Sequence, residues 1–263
     1  MTPVGSVVGL FRFPVKSMQG EQVPTLAFDQ HGAVGDRRYG VIDTATGKVL
    51  SAKRHGELLE ARATLYDGTG TVTITLPDGS TQIAGDATTD AALSAWLGRA
   101  VHLARPDPDT GAPFELLADP IDDESEVWDF ATPPNTFVDV AGAHLLTTAS
   151  LAAAAALAPD TDWSVYRFRP TVLIDADVEA GFVEDDWVEL TVGLGTVAVE
   201  PFMRTPRCSL PPRAQRTNGL PRDTAVSRVL TDHHGHDLGL YASVVMTGTV
   251  AIGDPVTTTP RRA

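Results

Sequence analysis

The one cysteine of the chain, Cys208, lies in Met203-Arg204-Thr205-Pro206-Arg207-Cys208-Ser209-Leu210-Pro211-Pro212, with another arginine at 213. A thiolate is the nucleophilic and metal-binding form of cysteine, and flanking arginine charge favours it. A structural cysteine usually sits inside an apolar run, and this one does not. The competing reading is an incidental free thiol. Upstream, residues 196–201 alternate as a strand does, so Cys208 is expected in a proline-stiffened loop at a strand end.

Other residues could serve the same chemistry. Lys16, Arg37, Arg38, Arg167, Arg169, Arg204, Arg207 and Arg213 all fall in turn-like or strand-end contexts. The chain carries a net charge of −14, so a convergence of these cations would make a positive pocket on an acidic protein, suited to an anionic ligand. Taken singly, each reads as a solvated charge. Thr147 and Thr148 precede an alanine run and are expected to cap a helix reaching Ala158. Such a helix start can also receive a phosphate. His233, His234 and His236 could ligate a metal if they closed on one ion, although a solvated loop is the simpler reading.

The totals exclude several classes. The acidic balance argues against nucleic acid as a partner. One cysteine leaves no intramolecular disulfide and no iron–sulfur cluster held by this chain's cysteines. No apolar run approaches a membrane span, and the N-terminus shows no signal-like segment; a cytoplasmic location with no membrane partner is expected. Phosphate loops, dinucleotide fingerprints, nucleophile elbows and the His-Glu-x-x-His pattern are absent.

The positioning elements read as mainly β. Strands are expected near 5–13, 23–28, 39–43, 61–66, 72–76, 81–83 and 101–104, with turns at Asp67-Gly68 and Asp78-Gly79. A short helix spans 90–97 with Asp90 as its cap. Residues 105–134, rich in proline and acid, read as a linker, with a domain division at 115/116. Beyond it, strands are expected at 165–175, 188–192, 197–199, 240–245 and 249–256, and 213–237 reads as irregular.

Four stretches together resemble the MOSC domain proteins, which share the C-terminal domain of molybdenum cofactor sulfurases. These are Phe13-Pro-Val-Lys16-Ser17 with Gly35-Asp-Arg37-Arg38-Tyr39, then Phe168-Arg169-Pro170 with Glu184-Asp-Asp-Trp187, then Pro206-Arg207-Cys208, and finally Gly239–Ala242 with Val250–Val256. The resemblance implies an antiparallel β-barrel MOSC domain with a few short helices (116–263), preceded by a smaller N-terminal β-barrel (1–115). It implies a molybdenum–molybdopterin cofactor with Cys208 as catalytic residue and metal ligand. Lys16, Ser17, Arg37, Thr147, Thr148, Arg169 and Arg207 would bind the cofactor. By similarity to the amidoxime-reducing members, the activity would be reduction of N-hydroxylated or N-oxide small molecules, with electrons from a separate flavin or iron–sulfur protein. Two alternatives stand beside it: a sulfur or cofactor carrier acting through a Cys208 persulfide, and a non-catalytic domain for a phosphorylated ligand such as pyridoxal phosphate. Ser209–Arg213 departs from the segment usual in amidoxime-reducing members.

Overall fold

Seven strands close on themselves. The computed structural model describes residues 1–261. In it Thr2–Arg12 pairs antiparallel with Val172–Ala176 on one side and Pro255–Pro260 on the other. The circuit runs on through Leu190–Leu194, Val197–Pro206, Asp237–Met246 and Ala143–Thr147, and a parallel pairing returns it to Val172–Ala176. Closure leaves the barrel strands without a free edge. Inward alternation fills the interior with Val7, Leu10, Leu145, Ile174, Val192, Val199, Leu240 and Val256, all fully buried.

A second core gathers Val15, Val41, Leu58, Ala63, Ile74, Leu93 and Val101. It lies under the meander Arg62–Tyr66, Thr71–Thr75 and Thr81–Ile83, the pair Gly40–Asp43 with Val101–Ala104, and helix α1 (Thr89–Leu97). Helix α2 (Thr148–Leu157), the single turn α3 (Val165–Phe168) and α4 (Ala225–His234) pack a third cluster around Trp163 and Phe168 against the barrel. The expected mainly β class is what forms. The two lobes interlock more than a linear division suggests. Thr2–Arg12 is a stave of the large barrel, and Thr25–Asp29 pairs with Gly248–Ala251 from the far end of the chain. Leu210, two residues past Cys208, packs into the second core. The Cys208 loop therefore bridges the lobes.

Several local expectations are corrected. Residues 105–134 are not a plain linker: Pro113–Leu117 and Val127–Ala131 form an antiparallel hairpin, and the 115/116 division cuts its first strand. Residues 165–168 are helical, capped by Ser164, whose hydroxyl accepts from the Tyr166 N–H at 3.4 Å. Arg169 ends that turn in the left-handed region because Pro170 cannot continue a helix. The strand starts only at Val172. Residues 213–237 contain α4, whose Val226 and Leu230, four apart, face the core. Asp90 does not cap α1; it sits in the first turn and accepts from the Leu103 N–H at 2.8 Å. Among the described residues, no helix is long and apolar enough to cross a membrane.

Candidate functional site

The Cys208 loop faces a small chamber between the lobes. Lys16, Ser17, Arg37, Arg169, Arg207 and Cys208 all line it. It also takes Lys53, Asp36, Asp139, His144 and Tyr241, which sequence reading did not single out. Five cationic side chains face two carboxylates, a formal excess of three positive charges in a strongly acidic protein.

Backbone geometry aims these groups. Ser17, Arg37 and Arg169 adopt φ of 71°, 44° and 54°, conformations that side-chain-bearing residues seldom take. Such strain gathers where function demands it. Ser17 accepts from the Ala52 N–H at 2.8 Å, which ties its turn to the Lys53 segment. The Arg169 and Arg37 guanidiniums lie 4.0 and 4.7 Å from the same Phe13 ring. Arg169 also donates to the Met18 carbonyl at 2.8 Å, and Arg37 to Asp36. Burial and the neighbouring Arg37 charge push Arg169 down to about 9. Arg207 donates to the Phe168 carbonyl at 3.0 Å, yet its buried Nε has no partner.

Asp139 is the internal counter-ion. Lys16 Nζ reaches it at 2.5 Å and Lys53 Nζ at 2.9 Å, both ammoniums being buried. Burial alone would raise the Asp139 carboxyl, but the two lysines outweigh that and hold it well below the usual range. One carboxylate cannot neutralise both lysines. Burial, with the Lys53 and Arg37 charges, pushes Lys16 down despite Asp139, while Lys53, although buried, is held up by Asp139 and Cys208. His144 is driven to about 3 by burial and by Arg207, so it is neutral. Its Nε2 faces the Arg207 guanidinium at 3.4 Å, which assigns the proton to Nδ1, 3.4 Å from the Arg169 carbonyl. Burial and the Asp139 charge raise the Tyr241 phenol, so it keeps its proton.

The remaining sequence candidates go elsewhere. Thr147 caps α2, accepting from the Ser150 N–H at 3.0 Å, and donates to buried Glu184 at 2.6 Å. Thr148 donates to Asp175 at 2.7 Å. Both hydroxyls are spent within the protein, and neither lines the chamber. Arg167 is fully buried and donates to the carbonyls of Asp162, Pro211 and Pro221 at 2.8–3.0 Å, so it fastens the chain beyond Cys208. Arg213 donates to the Lys53 carbonyl at 2.6 Å, and exposed Arg204 pairs with Asp185 and Asp237. Arg38 lies with Arg37 and Arg105 in a neighbouring basin. The histidines do not converge: His234 bridges Asp185 and the Asp237 carbonyl, and His236 contacts Thr231. No group of three or more metal-ligating side chains occurs among the described residues. Asp139 had a sequence signal, a lone acid in the apolar run Phe137-Val138-Asp139-Val140-Ala141, and Tyr241 lies in the family-like stretch Gly239–Ala242; Lys53 had none.

Two family models account for most of the chain. The MOSC N-terminal beta barrel domain matches residues 4–104, and the MOSC domain matches 133–257. The chain belongs to the MOSC domain proteins, whose domains are associated with molybdenum cofactor sulfurase-like proteins. Among solved structures, the YuaD protein from Bacillus subtilis is similar at 11% identity and a TM-score of 0.50, over 98% of this chain and 97% of that one. This likeness shows the fold alone. A hypothetical protein gives a TM-score of 0.44 at 9% identity, over 98% and 69% of the two chains. YiiM from Geobacillus stearothermophilus gives 0.33 at 16% identity, over 46% and 55%. No curated protein matches the chain.

Proposed function

We propose that the chain holds a molybdenum–pterin cofactor at Cys208 and works as an oxidoreductase on small molecules bearing an N–O bond. The observation that carries this reading is the cationic excess around the single cysteine, with the Arg207 Nε buried and unpartnered. An orphaned buried donor beside a thiol and several cations is what an anionic, sulfur-rich ligand would complete. The chamber is about 80 Å³ and admits an oxyanion-sized group. The body of a larger ligand would extend into the adjoining basin that shares Arg37.

In this reading Cys208 supplies a thiolate to the metal, and Lys16, Ser17, Arg37, Arg169 and Arg207 hold anionic groups of the cofactor. The bound group would supply two-electron oxygen-atom chemistry. Reduction of an N-hydroxy compound consumes two electrons and two protons and releases the amine and water. Electrons would come from a donor outside these residues, whose one cysteine cannot hold an iron–sulfur cluster. Lys53 and Arg207 stand where an electron-rich oxygen near Cys208 would be received, and Tyr241 presents a protonated phenol there.

Metal analysis tests the proposal. Protein from a host competent in cofactor synthesis should carry about one molybdenum per chain, and Cys208→Ala should lose both metal and N–O reduction. Wild-type protein without molybdenum overturns the reading. Added sulfur on Cys208 after incubation with a cysteine desulfurase, again without metal, would favour the carrier role.

A further inference from the structure

Cys208 opens on its other side into a groove of about 770 Å³ whose walls are mostly apolar. The hairpin Pro113–Ala131 contributes Phe114, Leu117, Trp128 and Phe130 to its lining; Val140 and Met203 line it too, with polar side chains of α4. Trp128 and Phe130 keep 45% and 48% of their surface open, and Val140 46%. Large apolar side chains left open side by side mark a binding surface more often than a solvated face. Phe114 ties the hairpin to the site, since the Lys16 and Lys53 ammoniums lie 4.5 and 4.7 Å from its ring centre. The hairpin tip is held toward the Cys208 segment, Asp123 accepting from Arg213 at 3.1 Å and from Arg222 at 2.8 Å.

The whole hairpin lies in the interval between the two matched family segments, 4–104 and 133–257, so neither accounts for it. The mouth where groove meets chamber is polar with a net positive charge, formed by Lys53 with its partner Asp139, by Arg207 and by Tyr241 beside Cys208. An apolar trough with a cationic end selects a particular shape and charge: a flat hydrophobic body with an oxygen-bearing acceptor head.

We propose that this groove is a substrate site for aromatic small molecules, the body lying between the hairpin and Val140 and the acceptor head meeting Lys53 and Arg207 next to Cys208. The proposal deepens the functional reading, and rests on it for the chemistry at the head. Binding of the body does not depend on it. The hairpin is then a selectivity element that decides which acceptor-headed molecules reach Cys208.

Calorimetric titration of the full chain with 2-naphthoate and with acetate tests it, both presenting the same carboxylate head. Naphthoate is expected to bind at least tenfold tighter than acetate. Phe130→Ala and Val140→Glu, at half-open positions, should each weaken naphthoate about tenfold or more and leave acetate unchanged. Ile83→Ser, at an equally open apolar position in the meander, should change neither. Trp128→Phe, which keeps an aromatic ring on the groove wall, should retain naphthoate binding in the same titration. Naphthoate binding no tighter than acetate, or unaffected by both groove variants, overturns the proposal. Molybdenum content measured on the same preparation decides the redox reading separately.

Discussion

The chain has two places that could receive a phosphate or another anion, and they are built oppositely. At the start of α2, Thr147 caps the helix and the buried Glu184 carboxyl takes hydroxyl hydrogen bonds from Thr147 and Ser150 at 2.6 and 2.5 Å. The protein has installed its own acid there, and that helix end is satisfied. In the chamber beside Cys208 the internal carboxylates are outnumbered, and a buried guanidinium nitrogen has no partner. A helix N-terminus or an arginine cluster becomes a ligand site only when the fold leaves it uncompensated. The motif alone does not say so.

Variants can break this contrast. The largest effect is expected for Asp139→Asn, which leaves two buried ammoniums without their shared partner and should cost about 3–5 kcal/mol by urea unfolding at pH 7. Inorganic phosphate should recover part of that loss and stabilise the variant more than the wild type. A cost below about 1 kcal/mol, or no response to phosphate, would show the chamber is not short of negative charge.

Glu184→Ala comes next, at about 2–3 kcal/mol, because it strands buried hydroxyls and the start of α2. Phosphate should not rescue it. Burial raises the Glu184 carboxyl above the usual range, despite hydrogen bonds from Ser150 and Thr147 that oppose this. A raised folded value means stability that is present at low pH and lost as pH rises through it. Glu184→Gln, a mimic of the protonated acid, should therefore cost less at pH 8 than at pH 5.

His144 gives a third test. Its value falls from 6.5 to about 3 on folding, with burial the largest cause. Stability is then full above pH 6.5 and declines as pH drops toward 3, at about 1.4 kcal/mol per unit, or about 2 kcal/mol by pH 5. His144→Gln should remove that slope from acid-unfolding curves. Least is expected of Arg222→Ala at the hairpin tip. That exposed pair should contribute under about 0.5 kcal/mol to unfolding, and a larger loss would mean the hairpin is part of the core.

Much of this was legible beforehand. Short alternating strands, Gly-containing turns and the Thr147 cap were read from local pattern, and the Cys208 loop sits at a strand end as its prolines imply. Arg167 and Arg169 show the limit. Two apart in sequence, they read as one face of a strand, but a helical turn and a left-handed residue send Arg169 to the chamber and bury Arg167 among carbonyls. The Val127–Ala131 strand was hidden because every residue of it is at least partly open to solvent, so burial imposed no alternation.

The sequence by itself determined the β character, the acidic charge, the lone thiol in an arginine-rich loop and the family, because each depends on residue type and near spacing. Only the tertiary structure decided which cations meet. Lys16, Lys53, Asp139 and Arg207 come from four separate stretches, and their mutual charge and burial arise when barrel closure presses those stretches together. It likewise decided that the helix start at Thr147 is already occupied by Glu184, thirty-seven residues away, a compensation that local pattern cannot reveal.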